Sequence, residues 1–246
     1  MAGLVSSLPL ALMAGCARAD EVCVVRTFDG SRFSVCVYDP GKSDLRMVQA
    51  DDHGVALRSF ARLAEQPGAS TARVRFAMNA GMFDAAGAPI GLYVEDSVVR
   101  HPLNIRDGNG NFYLKPNGVF FVAADGRPGI ETSETFASRT TSPCWATQSG
   151  PMLVTDGTYN PHISADGTST YIRNAVGIRS DGAAVFVISE APVSFGRLAR
   201  FLRDGLNCAN ALYLDGAVSS LWVPSQNRRD DGAKLGPMIV VSIKAK

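Results

Sequence analysis

Histidine is scarce in this chain. Its 3 histidines, His53, His101 and His162, are scattered over 246 residues, and no two of its 5 cysteines stand in C-x-x-C spacing. Nothing therefore has the ligand pattern of a zinc site. Charge of one sign is also missing: Lys+Arg 24 against Asp+Glu 23 leaves a formal net charge of +1. That excludes the basic footprint which nucleic-acid binding requires. Beyond the N-terminal segment no apolar run reaches the roughly 18–20 residues of a membrane span. The G-x-S-x-G elbow, the Walker A loop and the H-E-x-x-H helix are all absent, so no short motif specifies a reaction. There is no internal repeat and no long linker.

What is present is ordinary for a globular enzyme: 46% hydrophobic and 19% charged residues, enough to bury a core in one domain. The N-terminus reads as an export signal over 1–19, leaving a single domain over 20–246. An apolar run over 4–14 precedes Ala17-Arg18-Ala19, an A-x-A cleavage pattern. The alternative is a lipoprotein box at Met13-Ala14-Gly15-Cys16, with a lipid on Cys16 as the sole membrane attachment. Either way the chain is expected outside the cytoplasm, in the periplasm or anchored to the envelope.

The remaining cysteines, Cys23, Cys36, Cys144 and Cys208, are even in number, which in an exported chain suggests two disulfides. Strand-like segments flank Asp29-Gly30, a two-residue hairpin signal. In that register Cys23 faces Cys36, at the roughly 4.5–5.5 Å of opposed strand residues. Cys144 with Cys208 follows by elimination.

Strand-like segments dominate, at 22–26, 32–38, 44–49, 74–79, 90–95, 118–123, 145–154, 174–178, 184–189, 211–214 and 238–243. Two segments have helical spacing, 55–66 and 195–206, the second with Ser194 as N-cap. Without regular alternation of strand and helix, the expected fold is α+β, with a strand-rich mixed sheet core and two main helices.

Four segments are too polar and glycine-rich for bland strand ends. In the first, a strand runs into Asn79-Ala80-Gly81 and on to Asp84. The second, 111–120, contains Lys115 and Asn117-Gly118, which reads as a hairpin turn. The third is Gln148-Ser149-Gly150-Pro151, followed later by Arg173-Asn174; Arg173 offers a fork of donors suited to phosphate, or to a salt bridge. The fourth, 211–220, is an apolar strand that delivers Asp215 to Gly216 with Ser219 and Ser220 behind it. An acid in that position is an acid, base or metal ligand, or it makes local turn hydrogen bonds.

In order along the chain, N-A-G-M-F-D (79–84), P-I-G-L-Y-V-E (89–95), Q-S-G-P-M-L-V (148–154), R-N-A-V-G-I (173–178) and L-Y-L-D-G-A-V-S-S-L (212–221) resemble the phosphodiester glycosidase family. These are the uncovering-enzyme-like domains, and the block from His101 to Phe120 is similar to a bacterial subgroup. The resemblance implies a hydrolase that cleaves the glycosidic bond of a sugar-1-phosphodiester. It implies catalytic carboxylates at Asp215, as base or nucleophile, and Glu190, with Asp84 in reserve. Arg173 would hold phosphate; Asn79, Gly81, Gln148, Ser149, Gly150, Gly216, Ser219 and Ser220 would complete the substrate site. No cofactor is required, and a divalent metal on Asp215 is left open. A non-catalytic glycan-binding module and a diesterase cutting the P–O bond are the other readings. One departure stands out: relatives carry L-D-G-G, and here Ala217 follows Gly216.

Overall fold

The computed structural model describes residues 21–67 and 69–244. The proposed signal segment and Cys16 lie outside them. Three antiparallel sheets carry the fold. The largest runs in the order Cys23–Phe28, Ser31–Tyr38, Ala184–Ser189, Asn174–Arg179, Cys208–Asp215, Met152–Thr155 and Thr158–Tyr159. The second is Arg228–Arg229, Leu221–Val223, Val74–Asn79, Met238–Ile243 and Ser43–Val48. The third is Val98–His101, Tyr93–Glu95, Trp145–Ser149, Gly118–Val122 and Pro128–Thr132. The expected mixed sheet is corrected: every strand pairing among the described residues is antiparallel, and the core is mostly β.

Alternation along the strands explains how the sheets enclose a common core. In Ala184–Ser189, Ala184, Phe186 and Ile188 enter the central cluster, while Val185 and Val187 face the opposite side. Both faces of this strand are covered, so its sequence is continuously apolar rather than alternating. Phe76 and Met78 of the second sheet and Phe120 and Tyr93 of the third meet it in the same cluster.

Helices only cap outer faces. Phe195–Arg200 continues as a π turn over Phe201–Gly205, with Ser194 accepting from the Arg197 N–H as N-cap. It packs Leu198, Phe201 and Leu202 on the large sheet, as the spacing predicts. The expected helix over 55–66 shrinks to Phe60–Ala64. Arg58 adopts φ 62, outside helical space, and Ser59 starts the helix by accepting from the Arg62 N–H. Ala56 instead pairs with Ala50 in an isolated bridge. Asn117-Gly118 is not a hairpin turn: Gly118 opens a strand, and a Cβ there would come within 2.4 Å of Met152 Sδ.

The first hairpin follows its sequence. Asp29 and Gly30 take φ 47 and 72, the left-handed pair that a two-residue turn demands. Phe28 then faces Ser31, Cys23 faces Cys36, and the two cysteines are bonded. The second expected bridge is corrected. Cys144 and Cys208 are free thiols, because they belong to different sheets. Cys208 packs against Gly177 beneath Leu202, whereas Cys144 meets Ser97 at the end of the third sheet. Among the described residues no helix is long and apolar enough to cross a membrane.

Burial pushes the Cys208 thiol up to about 12, so it holds little reactive thiolate. A thiol reagent is expected to label half-buried Cys144 in the native protein and Cys208 only after unfolding, as peptide mapping would show. Cys23→Ser should lower unfolding free energy by about 3 kcal/mol, measured by denaturant titration.

Candidate functional site

The strand Cys208–Asp215 sends Ala211 and Tyr213 to the helix side and Leu212 and Leu214 into the central core. Near its end the register slips: Ala175 faces Tyr213, but Asn174 faces Asp215. One residue of the delivering strand is thus extra, and such a bulge re-aims the side chain that follows. Asp215 is only 7% exposed. Its Oδ1 accepts the backbone N–H groups of Gly216 at 2.6 Å and Ala217 at 2.7 Å, with Val218 more distant at 3.4 Å. Its Oδ2 accepts no bond from the described residues. Burial pushes the carboxyl above its ordinary range, and the three N–H groups only partly oppose this.

The loop after Asp215 crosses from the large sheet to the second sheet, which it joins at Leu221 opposite Met78. Two buried asparagines tie the crossing down. Asn174 Oδ1 accepts the Asp215 N–H at 2.9 Å and the Ser219 hydroxyl at 3.3 Å. Asn174 Nδ2 donates to Asn79 O and Oδ1 at 3.1 and 3.0 Å. Asn79 Oδ1 also accepts the Ser220 N–H at 2.9 Å. These backbone donors fix both amide orientations, and they leave Asn79 Nδ2 buried without a partner.

Arg173 lies on the helix side of the same strand end and is 1% exposed. Its Nε donates to Val193 O, Nη1 to the Tyr213 hydroxyl and Nη2 to Ser169 O. Its Cζ stands 3.8 Å from the Phe195 ring centroid. No carboxylate pairs with it among the described residues. Carbonyl dipoles and aromatic faces balance this buried charge. The guanidinium is sealed, and Val193 O, the Tyr213 hydroxyl and Ser169 take four of its five N–H groups, so no edge lies open for the expected phosphate contact. It does stand behind Gly216, where a Cβ would be 1.9 Å from the Tyr213 hydroxyl oxygen and 3.3 Å from Arg173 Nη1. Gly216 is required by that crowding. Neither it nor Ala217 takes a positive φ, so alanine at 217 fits without strain.

A cleft of about 330 Å³ opens beside this turn, lined by residues 216–220, Ile172, Ser189, Glu190, Arg228 and Asp230. Glu190 Oε1 accepts from Ser34 Oγ at 2.6 Å and Arg228 Nη1 at 2.7 Å. Burial alone would raise this carboxyl, but those two donors and the nearby cations hold it below its ordinary range. Gly216, Ser219, Ser220 and Glu190 thus line one cleft, Asp215 directly precedes its turn, and Asn79 lies behind the loop.

The other expected site residues are engaged within the protein. Gln148 Oε1 accepts from the Leu92 and Asn104 N–H groups, and its Nε2 donates to Asn104 O and Ser133 Oγ, which uses the amide completely. A Cβ on Gly81 would be 2.2 Å from Gln148 O, and one on Gly150 2.6 Å from Phe112 O, so both serve close packing. Ser149 donates to Leu214 O and braces the delivering strand. Asp84 accepts from the Ala88 N–H within its own turn. Sequence reasoning missed Arg228 and Asp230. A larger cleft, about 620 Å³, opens at the opposite strand ends around Val22, Val35 and Arg179 and contains none of the motif residues.

A model of the phosphodiester glycosidase domain matches residues 72–242. This chain belongs to the phosphodiester glycosidase family. The Escherichia coli K12 protein YigE, named as uncharacterized, is 40% identical over 154 residues, which is 63% of this chain and 60% of YigE. The match thus spans less than two thirds of that relative. The fold of this phosphodiester glycosidase family member is shared by the catalytic domain of zebrafish N-acetylglucosamine-1-phosphodiester alpha-N-acetylglucosaminidase. That comparison has a TM-score of 0.60 and 16% identity, over 91% of this chain and 82% of the other. A Synechocystis protein matches with a TM-score of 0.56 and 16% identity, over 90% of this chain and 61% of its own.

Two variants probe the site's construction. Asn174→Ala strands the Asp215 N–H without an acceptor and should cost about 2 kcal/mol in denaturant unfolding. Asp215→Asn should do the reverse at neutral pH. Because the folded pKa of Asp215 is raised, ionisation costs stability. That cost is absent below the unfolded pKa and complete above the folded one. The melting temperature of Asp215→Asn relative to wild type should therefore rise as pH climbs from 3 to 7.

Proposed function

We propose that this protein is an exported hydrolase that cleaves the glycosidic bond of a sugar-1-phosphodiester, with Asp215 as base or nucleophile at the anomeric carbon. One observation carries this reading within the family: Asp215 directly precedes the cleft-lining turn 216–220 and keeps Oδ2 without a partner among the described residues, in a carboxyl whose pKa burial has raised. A raised pKa makes the ionised form a stronger base and nucleophile than an exposed carboxylate. Its other oxygen is gripped by backbone N–H groups, so the attacking atom is held in one place. The leaving group is a phosphate monoester, which departs as an anion and needs little help from a general acid. A site built around one firmly held carboxylate suits that chemistry. Glu190, held ionised by Ser34 and Arg228, is the second carboxylate.

Export is part of the proposal. The Cys23–Cys36 bond is compatible with an oxidising compartment.

A panel of sugar-1-phosphodiesters with product identification tests the reaction. Free sugar is expected. Sugar-1-phosphate would move the cut to the P–O bond, and tight binding without turnover would make the domain a glycan-binding module. Asp215→Asn should lose roughly 10²–10⁴-fold in kcat/KM. The acid limb of the wild-type pH–rate profile should lie above the ordinary aspartate pKa of about 3.9. Activity disappears as pH falls through it, since the working form is the carboxylate.

A further inference from the structure

With Arg173 sealed away, the cleft still needs a group for the substrate's negative charge. We infer that Arg228 is that group, and that Glu190 occupies its anion-binding edge until the phosphodiester displaces it. This rests on the reading of the substrate as a phosphodiester glycoside.

Arg228 lines the cleft with a quarter of its side chain exposed. Its donors divide into two sets. Nε lies 3.2 and 3.3 Å from the two Asp230 oxygens, and Nη2 lies 3.0 Å from Asp230 Oδ2. Asp230 Oδ2 also accepts the Leu221 N–H at 3.0 Å. The guanidinium plane is thereby fixed to the strand that follows the Asp215 loop. On the other edge, Nη1 donates to Glu190 Oε1 at 2.7 Å and to Ser34 Oγ at 3.0 Å. An arginine carries five N–H groups; four are used here, and the second hydrogen of Nη2 has no acceptor among the described residues. The Nη1–Nη2 edge thus presents one free N–H of Nη2 beside an Nη1 held by Glu190 and Ser34. The two non-bridging oxygens of a phosphodiester fit such an edge in parallel. Glu190 need only release Nη1, because the Ser34 hydroxyl still donates to it at 2.6 Å. A carboxylate resting on an arginine edge is the stand-in for the anion that later takes its place.

The exchange makes Glu190 a competitor, and this separates it from a purely structural ion pair. If the pair only braced the loop, Glu190→Gln and Arg228→Lys would both weaken the site. If Arg228 receives the anion, the two variants act in opposite directions.

Inorganic phosphate titrated into the wild-type protein and followed by NMR measures the site without turnover. Glu190→Gln should tighten phosphate binding at least threefold. Arg228→Lys should weaken it at least fivefold, because lysine lacks the fork, and Arg228→Gln should weaken it further. Thermal melts check that each variant is folded. With a sugar-1-phosphodiester, Arg228→Lys should raise KM more than it lowers kcat. The loss in kcat/KM should be at least tenfold larger than for an uncharged aryl glycoside of the same sugar. Equal phosphate affinity in wild type and folded Arg228→Lys overturns the assignment, as does weaker binding in Glu190→Gln or no binding in wild type. Arg228-dependent phosphate binding in a protein that turns over no phosphodiester would sink the glycosidase reading and leave this assignment standing.

Discussion

The hydrogen bonds between the Asn174 and Asn79 side chains join the large sheet to the second sheet at the point where the chain passes from one to the other. Each amide also takes one backbone N–H of the crossing, Asp215 for Asn174 and Ser220 for Asn79. The two ends of the loop are therefore fixed to one another through a pair of side chains rather than through either sheet's ladder. Everything proposed for the site depends on this, because Asp215 belongs to one sheet, while Arg228 and Asp230 stand on the second. A buried amide pair is a strong constraint of this kind. Each mismatch costs the full desolvation of the group left over, so the register between the sheets is sharply defined.

Burial divides the charges into two kinds. Arg173 is enclosed by Phe195, Tyr213 and carbonyl oxygens and balanced without a carboxylate. Arg228 keeps carboxylates on two sides and stays at the cleft surface. The first arrangement gives an immobile positive charge behind the turn that follows Asp215. It cannot meet a ligand, but it contributes a fixed field where water does not screen it. The second can exchange partners at modest cost, because its far edge remains bound to Asp230 throughout. A site that must hold an anion and then release it is better served by the second kind.

What could be read beforehand follows physical lines. The hairpin that sets Cys23 against Cys36 was legible because Asp29 and Gly30 alone fix its register. The helix at 195–206 was legible from its cap and its apolar stripe. The helix at 55–66 was not: Leu57 and Phe60 are buried as the spacing suggests, but Arg58 in left-handed space breaks the segment. Asp215 stood out as an acid at the mouth of an apolar strand, and the family resemblance carried its neighbours with it. Gln148 and Gly81 form packing joints in the structure, and a polar residue beside glycine signals a ligand and such a joint equally well. Cys144 and Cys208 were paired by parity, which knows nothing of sheets. Arg228 was invisible because its meaning lies in topology. Only the return of the chain beside Leu221 brings it across from Glu190 and Ser34.

The turn after Asp215 shows how packing, rather than backbone conformation, sets the sequence here. Glycine in an acid-glycine turn suggests a need for positive φ, yet neither Gly216 nor Ala217 occupies that region. Gly216 is demanded by the Tyr213 hydroxyl, which the Arg173 guanidinium holds against it. Burial keeps that phenol protonated far beyond neutral pH, so it remains a neutral acceptor for Arg173 and adds no charge beside Asp215. A larger residue at 216 would push the phenol away. That would break its bond to Arg173 and loosen the floor on which the N–H groups gripping Asp215 Oδ1 are laid. Alanine at 217 meets no such wall. The restriction at 216 thus has its origin in the buried arginine, which shapes the surroundings of Asp215 from behind the turn.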